Sequence, residues 1–224
     1  MPTSRRSPRP GHRAVASHRA DPDGHRADGR DSGMDAVVLA GGGSRRFGTD
    51  KVVHPRDGRR QVDVVVDMLR PLGGRIVVAA GDRALDVIDT VEVHDAAGVQ
   101  GPLAGVLAGL EVAESDLAAL VAADLVQPSV CLLEALAAHA AGLGAPGAMP
   151  LVNGRPQPLH SVVAPAVVDD LREATRAGEH GLIVALQEVG VLPLPHPVWR
   201  RWVPGAVPDR DIDTRADLLQ LHGR

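Results

Sequence analysis

The chain reads as an α/β protein: one doubly wound, mostly parallel sheet with helices on both faces. Three observations predict this. Short runs rich in valine and alanine, apolar on both faces, recur at residues 36–40, 75–80, 90–94 and 117–123, as strands covered by helices on both sides require. Segments with helical apolar spacing lie between and after them, at 61–72, 102–112 and 128–141. The first strand ends in three glycines, the kind of turn that opens a ligand crevice at the carboxyl end of a parallel sheet. Strands alternating with helices give parallel βαβ units.

Each element has its own local reason. Residues 36–40 are uninterrupted Ala-Val-Val-Leu-Ala. Pro102 and Pro128 suit first-turn positions, where a missing N–H costs nothing. The second half is less regular: 148–152, 159–163 and 191–194 are candidate strands, and 164–177, 182–189 and 214–222 candidate helices. No internal repeat or linker interrupts them, which predicts one domain over 34–224. Residues 1–33 differ in kind, with many Arg, Pro, Gly, His, Ser and Asp and almost no large apolar side chain. Such a segment buries too little to offset its ordering entropy, so a disordered N-terminal extension is expected. Met34 offers an alternative start of translation.

Bulk properties narrow the function. The net charge is −4 over 224 residues, whereas a dedicated nucleic-acid binder carries a basic excess. Phe47, Trp199 and Trp202 are the only aromatic residues, which predicts an aliphatic core and argues against base-stacking platforms. The single cysteine, Cys131, excludes an intrachain disulfide and a thiolate-cluster metal site; its apolar helical setting predicts burial. The longest uncharged stretch, 135–154, is broken by His139, glycines, Pro146 and Pro150, so no membrane span is expected. A cytoplasmic enzyme fits this balance.

The loop Leu39-Ala40-Gly41-Gly42-Gly43-Ser44-Arg45-Arg46-Phe47-Gly48-Thr49-Asp50-Lys51 carries the strongest chemical signal. Glycines let the backbone approach a ligand closely and aim N–H groups at an anion. Arg45, Arg46 and Lys51 add positive charge, a combination suited to a polyphosphate. A P-loop needs Lys-Ser/Thr directly after its last glycine, and Gly48 is followed by Thr49. The dinucleotide fingerprint needs a glycine where Arg46 stands.

The pattern Leu-Ala-Gly-Gly-x-Ser-x-Arg-x-Gly-x-Asp-Lys, filled from Leu39 to Lys51, resembles nucleotidyltransferases of the molybdenum cofactor guanylyltransferase type. Phe47 replaces the usual methionine. The likeness continues in order through Asp95 with Gly101-Pro102-Leu103-Ala104-Gly105, Ala123-Asp124, Gly154-Arg155-Pro156-Gln157-Pro158-Leu159, and Asp211-Ile212-Asp213-Thr214-Arg215-Ala216-Asp217-Leu218. Two departures stand out. The family's aspartate is commonly followed one residue later by proline, whereas here the run is Asp124-Leu125-Val126-Gln127-Pro128, and Arg215 replaces a first-turn proline.

The resemblance implies a Rossmann-like, nucleotide-diphospho-sugar transferase-like fold. It also implies transfer of a nucleoside monophosphate, GMP from GTP above others, to a phosphorylated small-molecule acceptor such as molybdenum-molybdopterin, with release of pyrophosphate. A cytidylyltransferase, a guanylyltransferase for another acceptor such as phospholactate, or a non-catalytic nucleotide binder are the alternatives. In this scheme Mg²⁺ bridges phosphate oxygens, since it takes a few carboxylates plus waters and substrate. Asp124 is the first candidate ligand, against a role as a turn or cap residue. Asp213 is the second, in competition with Asp211 and with helix capping. Lys51 and Arg46 hold the phosphates and stabilise the leaving pyrophosphate, so Arg46, Lys51 and Asp124 form the catalytic set. Leu39, Ala40, Gly41, Gly42, Gly43, Ser44 and Arg45 line the nucleotide pocket, Asp95 meets the guanine or ribose, and Gly101, Pro102 and Leu103 bring a helix start close. No general base is needed, because the acceptor phosphate is already ionised. His54, His94, His160 and His180 lack ligand spacing. The pairs Arg59-Arg60 and Arg200-Arg201 read as solvated faces, with an anionic acceptor as their other possible partner. No nucleic acid or membrane partner is expected.

Overall fold

The structure is a computed structural model that describes residues 33–41, 55–56, 58–179 and 181–209. Its strands are β1 (Met34–Leu39), β2 (Pro55–Arg56), β3 (Arg59–Arg60), β4 (Gly73–Ala79), β5 (Val91–Val93), β6 (Ala118–Ala122), β7 (Gly147–Val152), β8 (Arg155–Pro156), β9 (His160–Val163) and β10 (Leu192–Leu194). Its helices are α1 (Gln61–Leu69), α2 (Pro102–Val112), α3 (Val130–Leu143), α4 (Val168–Arg176), α5 (Leu182–Glu188) and α6 (His196–Trp199). The sheet order is β10-β7-β9-β6-β1-β4-β5, with β8 on β7 and a separate β2–β3 hairpin.

β1 lies near the centre of this sheet, with five of its six residues buried. It pairs in parallel with β4 and with β6, and β5 and β10 are also parallel to their neighbours. β9 is antiparallel to both β6 and β7. The connection from β7 to β9 holds only the β8 turn, too short for the crossover that parallel pairing needs. The predicted doubly wound, mostly parallel sheet is therefore present, with one reversed strand inside it.

Successive β1 residues face opposite helix layers, as the period of two dictates. Val37 and Leu39 pack with Leu103, Val106, Leu107, Leu110, Leu171 and Leu186, under α2, α4 and α5. Ala36, Val38 and Ala40 pack with Val62, Val65, Leu69, Leu132, Leu133 and Leu136, under α1 and α3. Gly109 lets α2 lie almost on β1, because a Cβ there would come within 2.2 Å of Val37 Cγ1. At the lower end of β1 the buried Asp35 carboxylate accepts from the Arg75 amide at 2.7 Å and the Glu114 amide at 2.7 Å, satisfying donors that burial would otherwise orphan.

Several expectations shift. α1 ends at Leu69 and passes into a 3-10 turn, Arg70–Leu72, where Pro71 lacks an N–H and Gly73 (φ 75°) turns left-handed. α3 starts after Ser129, whose side chain accepts from the Leu132 amide; Pro128 thus lies before the cap rather than in the first turn. Cys131 is exposed, because the buried side of α3 is carried by Leu132, Leu133, Leu136 and Ala140. Among the described residues the buried core is aliphatic apart from Met149 and Trp199; Trp199 is 1% exposed and donates its indole N–H to the Leu151 carbonyl at 3.1 Å. The short elements β2, β3, β8 and α6 carry too little periodicity to read in advance. The expected extension before residue 34 and the expected helix at 214–222 lie outside the described residues, Gly33 apart.

Candidate active site

Three strand ends meet at the carboxyl edge of the sheet. The amides of Ala40 and Gly41 both donate to the Ala79 carbonyl, at 2.9 and 2.8 Å, tying the exit of β1 to the end of β4. On the other side the Ala123 amide donates to the Leu39 carbonyl at 3.0 Å. The first residue of the glycine loop and the turn that carries Asp124 therefore flank one strand end. Asp124 is half-buried in that turn.

Asp95 follows β5 on the far side of β4. Although the residue as a whole is exposed, its carboxylate lies against three glycine faces. A Cβ at Gly105 would sit 3.3 Å from Asp95 Oδ1, one at Gly41 3.4 Å from the same oxygen, and one at Gly81 3.7 Å from Oδ2. These glycines let the two strand exits and helix α2 close around a carboxylate. Burial against them, and next the nearby Asp82 carboxylate, push the Asp95 pKa up, while His94 pulls it down. Gly101, with φ 72°, caps α2, and its carbonyl accepts from the Ala104 amide at 3.1 Å.

The expected site residues divide on this frame. Leu39, Ala40, Gly41, Asp95 and Asp124 gather at the same sheet edge, with the start of α2 at Gly101 and Pro102. Leu103 is fully buried in the core, and Leu39 is nearly so; their side chains hold the scaffold and do not face a ligand. Gly42, Gly43, Ser44, Arg45, Arg46 and Lys51, and Asp211 and Asp213, lie outside the described residues, as do His54 and His180. Arg59 and Arg60 are paired, to Asp67 at 2.5 Å and Asp63 at 2.7 Å. Arg60 also holds the Leu85 carbonyl, so this pair is engaged with α1 and the segment after β4. His94 contacts the Gly81 carbonyl at 2.8 Å. Arg200 contacts His196 at 3.1 Å.

Sequence reasoning missed Arg83, whose guanidinium donates to the carbonyls of Ala40 and Ala80 and so ties the exits of β1 and β4 together. Its signal is a cation just beyond the glycine that ends a buried strand. A cleft of about 360 Å³ between β4 and β5 lies at the opposite, amino end of these strands. Its Arg70 and Arg75 are ion-paired with Asp67 and Glu114.

Among the described residues no three carboxylate, histidine or cysteine groups converge as a protein-built metal cage. Mg²⁺ bound with a polyphosphate takes only a few protein carboxylates, and Asp124 stands half-buried at this edge.

Comparison with known proteins decides the family. Residues 36–190 match the MobA-like NTP transferase domain. The chain belongs to that family. Relatives of this MobA-like chain include a probable molybdenum cofactor guanylyltransferase of Chloroflexus aggregans, 30% identical over 83% of this chain and 91% of the relative. A molybdenum cofactor guanylyltransferase of Pseudomonas putida is 35% identical over 67% of this chain and 80% of the relative. Among solved structures, molybdopterin-guanine dinucleotide biosynthesis protein A of Archaeoglobus fulgidus superposes with a TM-score of 0.71 at 23% identity, covering 84% of this chain and 96% of that one. The 2-C-methyl-D-erythritol 4-phosphate cytidylyltransferase of Thermus thermophilus superposes with a TM-score of 0.56 at 16% identity, covering 84% and 96%. These two likenesses carry the fold alone. No helix among the described residues is long and apolar enough to cross a membrane.

Proposed function

We propose that this MobA-like NTP transferase moves GMP from GTP to a phosphorylated small-molecule acceptor of the molybdenum-molybdopterin kind, releasing pyrophosphate. The observation that carries the reading is the joint between Leu39 and Ala123, which sets the glycine-loop strand beside the Asp124 turn. The names of the relatives favour the guanylyl reaction and the molybdopterin acceptor.

The chemistry follows from charge. An acceptor phosphate oxygen attacks the α-phosphorus of the triphosphate, a new P–O bond forms, and the bond to the β-phosphate oxygen breaks. The acceptor is already an anion, so no proton has to be removed from it. The obstacle is repulsion between two anions, and preorganised positive charge lowers it. Mg²⁺, when bound with the triphosphate, supplies part of that charge, and Asp124 is its ligand from the chain, with Asp213 as the second. Arg46 and Lys51 supply the rest along the phosphates, assisted by backbone N–H groups from Gly42, Gly43, Ser44 and Arg45.

Asp95 reads the base. The Watson–Crick edge of guanine offers two adjacent N–H donors to a carboxylate, whereas cytosine offers one exocyclic amine. The carboxylate at Asp95 therefore favours GTP over CTP. The enzyme is read as cytoplasmic and independent of nucleic acid.

The test is a panel of α-labelled nucleoside triphosphates with Mg²⁺ and separate acceptors, followed by pyrophosphate release and label transfer. Transfer from GTP to a molybdopterin acceptor is expected. Transfer only from CTP, or only to phospholactate, moves the assignment to another acceptor or base. Nucleotide binding with no transfer to any acceptor makes the chain a non-catalytic binder.

A further inference from the structure

The segment from Asp124 to Ser129 lacks the proline that commonly follows the family's aspartate one residue later, and its two ends are held by two buried side chains. Gln61, at the start of α1, is 1% exposed, and its Nε2 donates to the Leu125 carbonyl at 2.8 Å. Its Oε1 has no partner among the described residues. His160, at the start of β9, is fully buried, and its Nε2 accepts from the Ser129 amide at 3.1 Å. Its other ring nitrogen, Nδ1, has only a looser contact with the Pro208 backbone. A buried polar atom left unpaired is costly, so the glutamine at position 61 is not the group that packing alone favours. Leucine or methionine there would remove the orphaned atom but would free the Leu125 carbonyl instead.

Both contacts act on one short stretch. The Ala123 amide is fixed to β1, the Leu125 amide to the Ala122 carbonyl at 3.3 Å, and the Leu125 carbonyl to Gln61. Asp124 is the single residue between these anchors, so its backbone is fixed on both sides. At the far end, His160 holds Ser129, which caps α3. Groups that hold the backbone beside a ligating carboxylate limit where it can point, as its direct hydrogen-bond partners do.

We propose that Gln61 and His160 are positioning residues that brace the two ends of the 124–129 segment and so aim the Asp124 carboxylate at a metal–triphosphate complex. This inference rests on the reading that Asp124 is the metal ligand. Neither side chain touches the substrate; each acts through the backbone.

The test titrates Mn²⁺ into the full chain with GTP present and reads free Mn²⁺ by electron paramagnetic resonance. Gln61→Met keeps the length of the side chain and removes the amide. His160→Leu removes the acceptor, and His160→Gln returns one at nearly the same place. Gln61→Met and His160→Leu are expected to weaken Mn²⁺ binding by about tenfold or more, with native circular dichroism, while His160→Gln stays close to the wild type. Unchanged Mn²⁺ affinity in folded Gln61→Met would overturn the brace, even where the melting temperature falls. Should His160→Leu fail to fold, Gln61→Met and His160→Gln decide the matter. Asp124→Asn separates the two levels. If it binds Mn²⁺ and GTP as the wild type does, the metal assignment falls and the brace with it. If Asp124→Asn binds poorly while Gln61→Met binds normally, only the brace is lost.

Discussion

The Ala123 amide and the Leu39 carbonyl share a hydrogen bond of 3.0 Å, so the residue before Asp124 is fastened to the residue that opens the glycine loop. Two segments about eighty positions apart in sequence are thereby made neighbours at one strand end. Parallel pairing of β1 with β6 produces this directly, since Leu39 is in register with Ala122.

Asp124→Asn keeps the volume and removes the charge. Transfer is expected to fall by about a hundredfold or more, the scale of losing one preorganised electrostatic contact in a phosphoryl site. Circular dichroism and the melting temperature should stay near the wild type, because the residue is half-buried in a turn. Pyrophosphate release at saturating GTP is the measurement, and near-normal release removes Asp124 from the mechanism.

Asp95→Asn replaces one of the carboxylate's two acceptor oxygens with an amide donor. The GTP-over-CTP preference in kcat/KM is expected to narrow by roughly ten- to a hundredfold, as loss of a bidentate contact does. Competition between the two labelled nucleotides checks it. An unchanged ratio places base selection elsewhere.

His160 makes stability depend on acid. Burial holds its pKa down from 6.5 to about 4, and the Ser129 amide, which donates to Nε2, favours the same neutral form; the Pro208 backbone contact opposes this in part. Below pH 6.5 the unfolded chain takes up a proton that the folded chain refuses, so the folded state loses stability as pH falls toward 4. The cumulative loss is on the order of 3 kcal/mol. Above pH 6.5 this group contributes no slope. Urea melts of wild type and His160→Gln across that range should converge toward low pH; parallel curves would contradict the assignment.

Two glycine-to-alanine changes should act in opposite directions. In the interior of α2, Gly109→Ala gains about 1 kcal/mol of helix propensity, but its Cβ would meet Val37 Cγ1 at 2.2 Å. Val37 is fully buried and cannot swing away, so overpacking wins and a net loss of about 1–3 kcal/mol is expected. Gly142→Ala, near the end of α3 with no atom within 4 Å of its Cβ, should stabilise by roughly 0.5–1 kcal/mol. Thermal melts of the two variants measure both.

The legible part of the sequence was the part governed by period and composition. Runs rich in valine and alanine, apolar on both sides, announced β1, β4 and β6, and Pro102 marked the start of α2 to the residue. Asp124 was legible as the residue that ends such a strand, whereas Asp95 was picked out through the family resemblance alone. Long-range contacts were not legible. Nothing in the residues around Gln61 says that its amide reaches Leu125, sixty-four positions away, or that Arg83 reaches Ala40. Cys131 was misjudged because α3 is apolar on more than one side, and periodicity alone does not say which side faces the sheet.

The central claim is that the end of β1 and the Asp124 turn form two walls of one nucleotide cleft. A crystal structure of the full chain with GTP and Mg²⁺ tests it most directly. The triphosphate should lie over Gly41 with the metal against Asp124 and the guanine beside Asp95. Nucleotide bound away from that edge, or a metal with no contact to Asp124, would contradict it.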